Sequence, residues 1–142
     1  MNPEKFVYNV LLARAEAVVQ SARETWKRQR RIEPYAVAWP SESLKADDGT
    51  AITHAVFCAI PVEFDTAKRM KVLQQFVERT KAYGLVVVEQ KENSIRIMFE
   101  TGHGAKAWCI PLAWHGDVQV PSQTEASDER IGLLWQRGSS RH

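Results

Sequence analysis

The chain has 142 residues, 44% of them hydrophobic and 25% charged, with 7 glycines and 6 prolines. This is one domain's worth of polypeptide, and the balance excludes a disordered polar chain, a collagen-like repeat and a low-complexity linker. A net charge of +2 says little about partners by itself, and the longest apolar runs fall far short of the ~20 residues a membrane span needs.

Residues 3–31 are predicted as one long helix. Asn2 is placed to cap it, and Pro3 fits the first helical position, where a missing N–H costs nothing. Apolar or small residues recur at Val7, Leu11, Ala15, Val18, Ala22 and Trp26, and Phe6, Val10, Leu12 and Val19 widen that stripe. Pro34 disfavours helix at Glu33 and sets the end. At ~1.5 Å per residue the helix runs roughly 40 Å, the full diameter of a compact domain of this size. Strands of about six to nine residues reach only ~20–30 Å, which leaves part of the stripe uncovered in a monomer. A homodimer paired along this helix covers it, with small Ala15 and Ala22 permitting close approach. The rival cover is the C-terminal segment, folded back through Ile131, Leu134 and Trp135.

The periodicity then changes. Residues 35–39 read as a short strand stopped by Pro40, and 41–50, with Asp47-Asp48-Gly49, as a loop. Residues 52–60 carry β-branched and aromatic side chains on both faces, the pattern of a central strand. Asp65 caps a second helix over 66–83, buried through Met70, Leu73, Phe76, Val77 and Tyr83 and closed by Gly84. Strands follow at 85–90 and 94–100 around Lys91-Glu92-Asn93, the second alternating as if one face were wet. Gly102-His103-Gly104 reads as a hairpin turn using positive φ rather than as a phosphate loop, because it opens no helix. Residues 106–112 return as a strand in which Pro111 suggests an edge or a bulge, and 118–120 add a short pairing. Ile131, Leu133, Leu134 and Trp135 suggest a short C-terminal helix capped by Ser127 or Thr124, before a frayed end at 137–142. The order α-β-β-α-β-β-β predicts an α+β domain over residues 1–121: an antiparallel sheet of about five strands with both helices on one face. Residues 122–142 form a C-terminal segment.

Charge is laid out unevenly. Residues 1–31 hold seven basic side chains against three acids, a balance of +4, and residues 65–84 hold five against two, or +3. If the helices share a face, that face attracts anions. The expected contacts are Arg23, Lys27, Arg28, Arg30, Arg31, Lys68, Lys71 and Arg79, with Trp26 as a stacking partner. The bland explanation is a solvated face and cations complementing a helix C-terminus.

Other chemistry is less well supplied. Cys109, His115 and Asp117 are close in sequence, as a thiolate hydrolase would need, but no nucleophile signature surrounds them. His54, Cys58, His103, Cys109 and His115 are metal-ligand types, yet His54 and Cys58 lie about 13 Å apart in a strand, too far to share an ion. No metal or cofactor is expected. Among the five tryptophans, Trp108 reads as core and Trp114 as a candidate interface anchor. With only Cys58 and Cys109 and no signal-peptide pattern, a cytoplasmic setting is expected. The composite expectation is a non-enzymatic homodimer binding nucleic acid or a nucleotide through a basic helical face. Its rivals are a protein-interaction or inhibitor module and a small Cys/His hydrolase.

Overall fold

The computed structural model describes residues 3–41 and 54–135. The expected Asn2 cap, the loop over 42–50, the start of the strand at Ile52 and the frayed end lie outside these residues. The elements are α1 (Pro3–Gln29), β1 (Tyr35–Pro40), β2 (Val56–Ala59), α2 (Thr66–Thr80), β3 (Ala82–Lys91), β4 (Ser94–Thr101), β5 (Gly104–His115), β6 (Val118–Pro121) and β7 (Glu125–Ser127). This is the α+β class and element order the sequence predicts, with more strands than expected. Among the described residues the sheet has seven, in the order β2-β1-β3-β4-β5-β6, and β7 pairs with β5. All pairs are antiparallel.

The helices do not share a face. Val86 and Val88 on β3, with Ile95, Ile97 and Phe99 on β4, join the core beneath α1, whereas Leu85 and Val87 join the core beneath α2. Successive strand residues point to opposite faces, so the two helices cover opposite sides of the sheet. The cause is topological: β1 lies between β2 and β3, and α2 carries the chain across β1 by packing on the side α1 leaves open. The near-continuous apolar run Leu85-Val86-Val87-Val88 in β3, buried on both faces, is the sequence trace of this layering.

The α1 stripe is covered within the chain. Leu11, Ala15, Val19, Ala22 and Trp26 are buried, and Val7 and Val18 pack against them. β5 has 12 residues, about 40 Å at ~3.3 Å each, as long as the helix that crosses it. The geometric ground for a dimer along this stripe is therefore gone. Trp26 is only 3% exposed, so its ring is not a stacking surface. Two glycines set the approach of α1: a Cβ on Gly84 would stand 2.8 Å from Leu11 Cδ1, and one on Gly104 would stand 2.9 Å from the Tyr8 ring.

Several boundaries differ from expectation for local reasons. α2 ends at Thr80 because Lys81 takes the left-handed conformation and donates its N–H to the carbonyls of Glu78 and Val77. Gly84 lies inside β3, and Tyr83 packs toward the α1 side. Gly102 and Gly104 are not among the positive-φ residues; Gly104 is needed for the Tyr8 contact instead. Among the described residues β2 is an edge strand rather than a central one, with Phe57 63% exposed. Pro111 sits where the neighbour of β5 changes from β7 to β6, so its missing N–H breaks no ladder there. In place of the expected C-terminal helix, residues 125–127 form β7. Ile131, Leu133 and Leu134 pack on the α2 side, away from the α1 stripe.

Candidate anion-binding site

The register places the end of α1 and the start of α2 at the same end of the sheet. Tyr35 opposes both Ala59 and Val88, so the corner after α1, the exit of β2 and the exit of β3 are neighbours. Arg30 closes α1 in a left-handed conformation, its N–H donating to the Trp26 carbonyl at 2.7 Å. The next turn is pinned by the Ile32 N–H donating to Gln90 Oε1 at 2.8 Å and the Ile60 N–H donating to the Pro34 carbonyl at 3.0 Å. On the other side of the sheet, Asp65 caps α2 by accepting from the Lys68 N–H at 2.9 Å.

Arg69, one turn into α2, is the most constrained cation here. Its Nε donates to the Phe64 carbonyl at 3.0 Å, its Nη2 to the Val62 carbonyl at 3.2 Å, and its Nη1 meets Glu89 Oε2 at 3.3 Å. Lys91 Nζ reaches the other Glu89 oxygen at 3.1 Å. Arg31, Ile32, Glu33, Val62, Arg69 and Gln90 line a cavity of about 270 Å³. Arg31, just beyond α1, and Arg69 of α2 thus line one cavity at the sheet end, although the helices themselves are separated by the sheet.

The expected contacts divide accordingly. Arg31 and Lys68 belong to this end, Arg31 pairing with Glu33 at 2.6 Å and Lys68 lying 5.7 Å from the Phe64 ring centre. Arg23 and Arg30 tie α1 to the sheet rim, through Thr124 Oγ1 and the Gln119 carbonyl, both at 2.7 Å. Lys27 stands 3.7 Å from Glu24, and Arg28 and Lys71 are exposed. Arg79 is in the last turn of α2, at the far end, where its charge acts on Cys58. The single basic helical face therefore does not exist; Arg31 and Arg69 instead share one end of the sheet with Glu33 and Glu89.

Arg69 also lines a second cavity of about 220 Å³, between α2, the α2 side of β3 and β4, and the segment after β7. Around it Arg96 pairs with Glu129, and Arg96 Nε donates to Ser94 Oγ at 3.0 Å. Farther along β4, Glu100 is fully buried and its two oxygens accept from the backbone N–H groups of Leu133 at 3.0 Å and Trp135 at 2.8 Å. Sequence reasoning passed over Arg69, Glu89, Lys91, Arg96 and Glu100 as site residues. The available signal was charge at alternate positions of β3 and β4, which places those side chains together on one face.

The thiol candidates are not brought together. Cys109 and His115 are six residues apart on β5, about 20 Å at ~3.3 Å per residue, far beyond hydrogen-bond reach. Asp117 lies in the exposed turn beyond His115. Cys58 is half-buried, and burial raises its thiol pKa against the opposing charge of Arg79. Among the described residues, no three His, Cys, Asp or Glu side chains gather as metal ligands. Trp114 is 62% exposed, whereas Trp39 and Trp108 are core. Among the described residues no helix is long and apolar enough to cross a membrane. No protein family, curated protein or solved structure matches this chain.

Proposed function

We propose that the chain is a non-enzymatic binding protein, acting in the cytoplasm, whose anionic partner is a nucleotide or a similarly small phosphate-bearing molecule held by Arg31 and Arg69 at this sheet end. The observation that carries this reading is that Arg31 and Arg69 line one cavity while coming from opposite layers of the fold. A cavity of about 270 Å³ is close to the small end of ligand pockets, ~300–1,000 Å³, which favours a compact ligand over an extended strand. Glu33 and Glu89 beside the cations weaken binding of any anion there, and they weigh most against a polyanion.

Titration with a fluorescent ATP analogue and with a labelled single-stranded oligonucleotide tests it. Joint replacement of Arg31 and Arg69 by Ala is expected to weaken nucleotide binding at least tenfold, because hydrogen bonds to charged groups contribute ~1.5–3 kcal/mol each. Arg14→Ala, on the outer side of α1, is expected to leave it unchanged. Equal binding by parent and double variant overturns the reading, and preference for the oligonucleotide replaces it with nucleic-acid binding.

A second reading, pairing of two copies, rests on a different surface. Phe6, Val10, Ala13 and Ala17 form an apolar outer side of α1 beside Arg14. Light scattering that finds a dimer in the parent and a monomer in Val10→Glu supports it; a monomeric parent removes it.

A further inference from the structure

The β6 and β2 edges of the sheet are finished differently. Register fixes which backbone groups face outward, because antiparallel residues alternate between pairs that exchange hydrogen bonds and pairs that do not. At β6 the Ser122 N–H donates to the Pro111 carbonyl, so Val118 and Val120 bond toward β5 while Gln119 and Pro121 face outward. Arg30 Nη1 occupies the Gln119 carbonyl at 2.7 Å, and Pro121 has no N–H to give. Charge and proline at such positions are the usual protection of a sheet edge. β2 has neither. The Ile60 N–H donates to the Pro34 carbonyl, which turns Val56 and Cys58 toward β1 and the N–H and C=O groups of Phe57 and Ala59 outward. Among the described residues no strand pairs with this side of Val56-Phe57-Cys58-Ala59, which carries no charge and no proline.

The two faces beside this edge differ in chemistry. On the α1 side the Phe57 ring is exposed and stacks on Tyr35, ring centres 5.2 Å apart. On the α2 side the helix turns one flank to β2, carrying Lys68, Gln75 and Arg79 at helical spacing. Lys68 lies over the Phe64 ring, and Arg79 acts on Cys58. Lys68 has the carboxylates of Glu63 and Asp65 at its own end of the helix. Arg79 is about 21 Å along the helix from Asp65 at ~1.5 Å per residue. Its neighbour Glu78 points about 100° away around the helix axis. Among the described residues Arg79 pairs with no carboxylate.

We propose that the β2 edge receives an extended segment of another protein, in which apolar residues set against Phe57 alternate with acidic residues directed at Arg79. An added antiparallel strand exchanges hydrogen bonds opposite Phe57 and Ala59, and its residues there lie on the α1 face beside the exposed ring. The residues between them turn to the α2 face, where Arg79 supplies the complementary charge. A second copy of this chain fits less well, because Val56-Phe57-Cys58-Ala59 brings no acid to that face. The proposal does not rest on the nucleotide reading, whose cavity uses neither Phe57 nor Arg79.

Fluorescence anisotropy on the full-length chain tests this with a labelled heptapeptide of alternating valine and glutamate. Saturable binding is expected below about 1 mM, at least about tenfold tighter than for the same peptide with lysine in place of glutamate. The valine nitrogens of the bound strand face β2 and the glutamate nitrogens face away. Methylating the valine nitrogens is therefore expected to weaken binding at least about tenfold, and methylating the glutamate nitrogens to leave it unchanged. Ala59→Pro removes an N–H that the β1 ladder does not use, and is expected to weaken binding as valine methylation does. Arg79→Glu is expected to move the preference to the lysine peptide. No saturable binding by the unaltered chain, equal affinity for the glutamate and lysine peptides, or indifference to valine methylation each overturn the proposal. A dimeric parent that Ala59→Pro makes monomeric gives the edge to a second copy and overturns it too. The peptide series on the unaltered chain decides the matter even if a variant fails to fold.

Discussion

The two sides of the sheet are built by different rules. Beneath α1 lies the larger core: Leu11, Trp26, Trp39, Phe99, Trp108 and Ile110 are all buried, and Gly84 and Gly104 let the helix come close. Beneath α2 the core is smaller, around Leu73, Phe76, Leu85 and Val87, and it gives way to Glu89, Lys91 and Arg96 on the same face. The two cavities rimmed by Arg69 open at the α2 side and at the sheet end it shares with α1. A sheet covered on both faces can thus carry its charged groups on the face with the shorter cover, 15 residues in α2 against 27 in α1.

The sharpest way to break this contrast is to remove the same side chain from each layer. Leu11→Ala leaves a void where the helix meets Gly84 and has no exposed edge through which to relax, so a loss toward the upper part of ~2–5 kcal/mol is expected. Leu73→Ala borders a cavity and can relax, so its loss belongs at the lower end of that range. Urea unfolding of both variants measures the difference. Equal losses would mean that the two layers are equivalent scaffolds.

How much of this was legible in the sequence follows from the range of each signal. Helix periodicity, the Asp65 cap and the turn residues act within a few positions, and both long helices and the strands they separate are present, whereas the expected C-terminal helix is not. Layering is set by strand order, which no local pattern states, so charge belonging to two opposite layers read as one basic face. The run of four apolar residues in β3 marks a doubly covered sheet, but so short a run identifies a strand without saying what covers it. For the site, Arg69 was visible as charge but not as a bridge between layers. Its partners Val62, Phe64 and Glu89 come from a loop and a strand that fold around it. Glu100 looked like the wet face of β4, and it is buried because the C-terminal segment crosses it.

That crossing sharpens the comparison at smaller cost. Glu100→Ala removes both acceptors from the Leu133 and Trp135 N–H groups, while the α1 core is untouched. An expected loss of ~1–3 kcal/mol should be confined to the segment after β7. Hydrogen exchange reads it directly: the Leu133 and Trp135 amides accelerate, and those of β3 and β4 do not. Acceleration spread through the central strands would show instead that the segment is an inseparable part of the core.

The smallest expected effect probes how tightly the α2 layer closes over the edge strand β2. Cys58 packs against this layer, and burial raises its thiol pKa above the ordinary value while Arg79 pulls the other way. A raised pKa means less thiolate at any given pH, so alkylation by iodoacetamide near neutrality should be several-fold slower than for an unstructured cysteine peptide. Arg79→Ala removes the opposing charge and should slow it further. The same sign governs stability: the folded chain holds this proton more firmly than the unfolded one. Its contribution is therefore complete below the unfolded thiol pKa and is lost as pH rises through the folded value. Peptide mapping after timed alkylation separates Cys58 from Cys109. A Cys58 rate equal to that of the free peptide would mean that α2 does not seal the β2 edge, and the contrast between the layers would extend to their rims.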